Sequence, residues 1–146
     1  MRARKIKGLD PAMPFAEATQ RIAGVRAQEV LDLAARAQDP ARVKALHDLR
    51  IAAKRLRYLL ELTGPRDVAK LLRRLQDQLG ELHDCDVQLP EIRALAREAD
   101  ERDARGLRAV AIHLARSRAE CFERFLQDWP TVEPAIARLA RAEVSR

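Results

Sequence analysis

From Phe15 onward the apolar residues recur at three- and four-residue intervals, the period of an amphipathic helix, and no segment alternates over a useful length as a strand would. Prolines and glycines divide this pattern. Asp10-Pro11 and Pro14 precede a helix from about Phe15 to Ala37, and Asp39-Pro40 reads as N-cap plus first helical residue of a second helix running to Leu62. Thr63-Gly64-Pro65 stops it. Asp67 is placed to cap a third helix that reaches at least Leu82, and Pro90, after "DCDVQL", marks a fourth start or a bend on the way to Arg102. A long helix follows from about Ala104 to Trp129, with Pro130-Thr131 separating it from a short last helix ending near Glu143. The short links favour antiparallel neighbours. The expected fold is therefore all-α: an antiparallel helical bundle, a four-helix core plus an additional terminal helix, with residues 15–146 forming one domain behind an arm of residues 1–14.

Composition supports that reading and narrows the setting. A chain of 146 residues is one domain's worth, 47% hydrophobic but only 3% aromatic, and its five glycines leave little turn material for an all-β fold. Cys85 and Cys121 stand alone in separate segments, without a CxxC pair or metal-type spacing, which fits a reduced, cytoplasmic setting. The start "MRARKIKGLDPAMPF" is basic but lacks the apolar stretch of a signal peptide, and no apolar run is long enough to span a membrane. A soluble protein without membrane attachment is expected.

Charge changes the picture more. The net charge is +6 at pH 7, yet residues 1–9 alone carry four cations and no acid, and residues 43–74 carry nine cations against Asp48, Glu61 and Asp67. The remainder, with 15 cations and 19 acids, is acidic. A local basic excess points to an anionic partner. Within it, at about 100° per residue, Arg50 lies about −60°, Lys54 about −20° and Arg57 about −80° from His47, one narrow stripe. Leu49, Ala53, Leu56 and Leu60 fall on another side of the helix, and Lys44, Asp48 and Arg55 form a separate flank where Lys44 and Asp48 are spaced to pair. Arg50 and Lys54 are like charges one turn apart, relieved only by Glu61 beyond the stripe. On the third helix Lys70, Arg73 and Arg74 cluster away from the leucines, with Asp77 one turn from Arg73. A charged helix face is ordinarily just solvated; an anion site would instead use the Arg fork, the Lys point charge and a protonatable His47 on phosphate oxygens.

The stretch "LHDLRIAAKRLRYLLEL", followed by "LLRRLQDQLGELHDCDV", resembles the CHAD family, the conserved histidine α-helical domain. The matching residues are His47, Arg50, Lys54 to Tyr58, Leu75-Gln76, Leu79-Gly80 and Asp84. The resemblance implies an all-helical domain of two pseudo-symmetric four-helix halves whose basic central surface binds inorganic polyphosphate. "KRLRY" is more similar to the second half, and the chain holds one His/Arg motif and room for one half. A half-length module completed by a homodimer about a two-fold axis is the expectation, with a truncated module as the competing one. The resemblance makes His47, Arg50, Lys54 and Arg57 phosphate contacts and includes Arg55, although the helical wheel turns it to the Lys44 flank. Lys70, Arg73 and Arg74 are added from helix geometry. Tyr58 reads as packing, Gly80 as permitting close helix approach, and Asp84 as orienting a basic side chain.

Other chemistries find less in the residues. His47, His83 and His113 fall on separate predicted helices with no HExxH or ExxH pair, so no cofactor is expected and His83 and His113 read as structural or surface residues; a divalent-metal-binding module, or a non-specific nucleic-acid or protein-interaction module, is the alternative reading. The scattered Phe122, Phe125 and Trp129 read as packing residues, not a base-stacking platform, which leaves nucleic acid a non-specific competitor. No P-loop, GxSxG or ExExK pattern occurs; Ser117 and Ser145 lack an evident base, and Cys85 beside His83 and Asp84 is too local for a triad. The sequence reads as a binding module without turnover.

Overall fold

A computed structural model describes residues 1–144, which form four helices: α1 Phe15–Arg36, α2 Val43–Thr63, α3 Arg66–Glu98 and α4 Glu101–Val144. Ser145, weighed above as a nucleophile, lies outside the described residues. Helix α1 adjoins α2 and α4, and α3 adjoins the same two, so the helices stand at the corners of a square in up-down-up-down order. The all-α bundle is as expected from the helical period. Leu46, Leu49, Ala53, Leu56 and Leu60 on α2, Leu72, Leu75, Leu79 and Leu82 on α3, and Phe122, Phe125, Trp129, Val132 and Ile136 on α4 are all buried. Their steps of three and four residues keep one seam of each helix on the bundle axis. Full burial of each leucine, isoleucine, valine or phenylalanine among them contributes about 1.5–3 kcal/mol. Trp129, expected at a helix end, belongs to this core in mid-helix.

Two expected breaks are absent. Helix α3 runs through Pro90, and α4 runs through Pro130 and Pro134, so the separate fourth start and the additional terminal helix are continuations of longer helices. A proline inside a helix costs about 3 kcal/mol and removes one hydrogen bond. All three prolines face solvent, and buried Leu89, Trp129, Val132 and Ala135 anchor the opposite sides of the same turns. Packing on either side outweighs the local penalty. The start of α2 also differs: the Asp39 carboxylate accepts from the Ala41 amide at 2.9 Å in a turn, and the helix begins at Val43. Asp67 sits in the first turn of α3, with Pro65 in the capping position. Gly64 closes α2 at φ +73°, a backbone conformation few side chains tolerate, and its amide donates to the Leu60 carbonyl at 2.7 Å.

The arm is held down along the bundle. The Arg4 amide donates to Glu29 at 2.8 Å, the Arg4 guanidinium meets Asp32 at 2.5 Å, and Arg21 donates to the Gly8 carbonyl at 2.9 Å. Glu29 is buried and also pairs with Arg26 at 2.9 Å. At the other end, α3 and α4 outrun their partners: 33 and 44 residues against 22 and 21, so that their far halves form a two-helix extension beyond the bundle.

Candidate functional site

The turn at Thr63 to Pro65 fixes how α2 and α3 face each other. His47 Nδ1 lies 3.3 Å from His83 Nδ1, with ring centroids 4.7 Å apart. One turn on, the Arg50 side chain lies over Gly80, where an added Cβ would stand 3.8 Å from Nε. At the same antiparallel register Lys54 falls opposite Gln76 and Arg57 opposite Arg73, and a single carboxylate serves the last pair, Glu61 at 3.8 Å from Arg57 and 3.1 Å from Arg73. The His47 stripe therefore runs along the α2–α3 seam, with α3 as the other wall.

Within that seam several polar atoms are buried without a hydrogen-bond partner: Arg50 Nε, Arg57 Nε and Gln76 Oε1. Buried polar groups are nearly always satisfied, so orphaned guanidinium donors in one groove mark an unfilled demand for acceptors. Lys54 is exposed, and Arg57 stacks on the Tyr58 ring at 4.6 Å with the Lys54 ammonium 5.6 Å above the same ring. Tyr58 is 47% exposed; it is a shelf for the two cations and not the packing residue expected of it. A Cβ added at Gly80 would meet Arg50 only at ordinary contact distance, so the close helix approach expected to require this glycine is not seen.

The remaining expected residues separate. Arg55 turns to the flank, half-buried, and donates to the Met1 carbonyl at 2.9 Å, so it holds the arm. On that flank Lys44 and Asp48 pair at 2.6 Å. Lys70 and Arg73, with Arg66 and Glu61, line a shallow hollow at the Gly64 end of the seam. Arg73 bonds Glu61 instead of the expected Asp77. Arg74 turns away to Asp128 on α4 at 3.1 Å. Asp84 is exposed. His83, read from sequence as structural or surface, faces His47 across the seam; counting outward equally from the Gly64-Pro65 turn sets 83 opposite 47, which is the sequence signal for that contact.

His47 has its proton affinity lowered by burial first, then by His83 and Arg50, with Asp48 opposing. Burial raises both thiols, Cys85 and Cys121, above the usual cysteine range, which disfavours the thiolate a nucleophile needs. His113 stands exposed on the α4 extension, far along the chain from the paired histidines, and among the described residues no three metal-ligating side chains gather.

The family model of the CHAD domain matches residues 3–90, well over half of the chain, from the arm to Pro90. The chain belongs to the CHAD-domain family. Both walls of the seam, and every residue of the stripe, lie inside the matched stretch. CHAD is a helical domain of polyphosphate-binding type, and the four-helix bundle agrees with it. No curated protein and no solved structure shows significant similarity to the chain. Among the described residues no helix is long and apolar enough to cross a membrane.

Proposed function

We propose that the α2–α3 seam binds inorganic polyphosphate, without turnover, through His47, Arg50, Lys54 and Arg57 on α2 and Lys70 and Arg73 on α3. The observation that carries this reading is the pair of buried, unpartnered guanidinium donors beside the exposed Lys54, in a groove with Glu61 as its one paired acid. A polymer with about one negative charge per unit supplies many acceptors at once, and the stripe's rise of about 15 Å spans several phosphates. Arg55 and Arg74, committed to the arm and to Asp128, contribute long-range charge only. Binding weakens steeply with salt, and nucleic acid competes non-specifically.

On this reading the chain is a half-length CHAD module, and two copies pair about a two-fold axis to join two His/Arg motifs. Charge supports pairing through the extension: residues 86–117 hold six acids and six arginines, whereas the basic face repels its like. Val87, Leu95, Val110 and Ile112 are exposed there. The cellular setting that fits is cytoplasmic, at polyphosphate granules.

The test is calorimetric titration with long-chain polyphosphate beside duplex DNA at one near-physiological salt. The expected result is tight polyphosphate binding, weak DNA binding, loss of the first with Arg50→Glu and a smaller loss with Arg55→Glu. Equal losses at both positions would replace the groove by a diffuse basic surface, and a folded protein that binds no polyphosphate would end the proposal.

A further inference from the structure

The two histidines that face each other across the seam ask for a proton. An Nδ1 to Nδ1 contact at 3.3 Å is a hydrogen bond only if one ring carries its hydrogen there and the other offers a lone pair. Two neutral rings satisfy this with opposite tautomers, and then one of the two Nε2 atoms is a donor and the other an acceptor. Adding a single proton keeps the Nδ1–H···Nδ1 bond and turns both Nε2 atoms into donors on one shared positive charge. A second proton would set two imidazoliums against each other at 4.7 Å between ring centroids. The useful states are therefore zero protons and one.

The surroundings set which state the empty groove holds. On α2, Arg50 disfavours the charge and Asp48 favours it; on α3 the facing group is His83 itself; from the arm, the amino terminus adds a further cation. Both rings are half-buried. An empty groove thus disfavours an extra proton at His47, while a polyanion laid along it reverses the field and favours it. We propose that His47 and His83 act as one proton-sharing pair closing the far end of the groove, and that polyphosphate binds there together with about one proton, held between the two rings. This rests on the polyphosphate reading of the seam and makes His83 part of the site. The sign follows from linkage: the complex holds more protons than the free protein, so affinity rises as pH falls, through the range where the free pair is neutral and the bound pair charged.

The experiment is titration of the whole chain with long-chain polyphosphate, whose interior units stay ionised, in two buffers of different ionisation enthalpy at constant salt, from about pH 8 to about pH 6. Expected are uptake of up to about one proton per site and an affinity that climbs towards about tenfold per pH unit. His83→Gln, and separately His47→Gln, should flatten that slope and bring the proton count near zero, with helical content checked by circular dichroism. Polyphosphate binding by the wild type with no proton uptake, or a slope unchanged in His83→Gln, overturns the pair while leaving the groove standing. Absence of polyphosphate binding at every pH removes the groove and the pair together.

Discussion

Along its α4 side, α3 answers charge with charge: Arg74 and Gln78 meet Asp128, Asp86 meets Arg118, and Glu81 meets Arg124. Along its α2 side the same helix faces Arg50, Lys54 and Arg57, and Glu61 at the end of the row is the carboxylate that pairs there. In the first seam each of these ions is partnered, two of the pairs at the surface and Asp86–Arg118 mostly buried, and the unpartnered buried atom there is an acceptor, Gln78 Oε1. The second holds two guanidinium nitrogens without acceptors, Arg50 Nε and Arg57 Nε, on one stripe beside the exposed Lys54, whereas the flank holds a single one, Arg55 Nη1. A helix interface that neutralises itself is accounted for by stability, and one that leaves like charges facing a groove is the place where the proposed partner of opposite sign would be felt.

The sharpest way to break this comparison is to open the first seam. Asp86 and Arg118 are 10% and 17% exposed, and the Arg118 guanidinium also donates to the Pro40 carbonyl, tying the base of the extension to the α1–α2 loop. Asp86→Ala leaves a mostly buried cation without its counter-ion, and urea unfolding should show a loss of about 2–3 kcal/mol. Polyphosphate affinity of the folded variant should stay at the wild-type value. A drop in affinity equal to that of a groove variant would mean that the two seams are not separate in function.

Much of this organisation was legible in the sequence, because it follows from helical periodicity. The buried leucines of α2 and α3 recur with the period of a buried stripe, and the His47 stripe falls off that seam by angle alone. The Pro90 and Pro130 breaks were read from local preference, which the burial of Leu89, Trp129 and Val132 overrides, and no local rule sees that packing. The candidate site was legible on one helix only. Arg55 and Arg74 carry the right charge, and their diversion to the Met1 carbonyl and Asp128 depends on partners 54 residues away in each case. Tyr58 was misjudged for the same reason: its exposure is set by what α2 packs against, not by its neighbours in sequence.

The next effect is smaller in stability and larger in binding. Arg50→Met keeps the length and apolar stem of the side chain over Gly80 and removes the orphaned Nε donor. Stability should stay within about 1 kcal/mol of wild type or rise, since an unsatisfied buried donor costs about that much or more. Polyphosphate affinity at fixed salt should fall about tenfold or more, as expected for loss of one charge-assisted contact worth 1.5–3 kcal/mol. Binding unchanged in a stabilised variant would show that the orphaned donor is merely strain in the seam.

The smallest change in affinity is the most discriminating, because it predicts a gain. Glu61 is 34% exposed in its side chain and shared between Arg57 and Arg73, so in the free protein it holds both guanidinium groups that the groove would turn to phosphate. A polyphosphate chain must displace that carboxylate or lie beside it, at a cost either way. Glu61→Gln removes the negative charge and keeps the shape and a polar partner for both guanidinium groups; with Arg73 exposed but Arg57 mostly buried, the fold should lose about 1–3 kcal/mol. Polyphosphate should then bind about two- to fivefold more tightly at low salt, with the gain shrinking as salt screens the lost repulsion. If affinity instead falls, Glu61 is positioning Arg57 and Arg73 for the ligand, and the acid at the end of the open seam belongs to the site and does not compete with it.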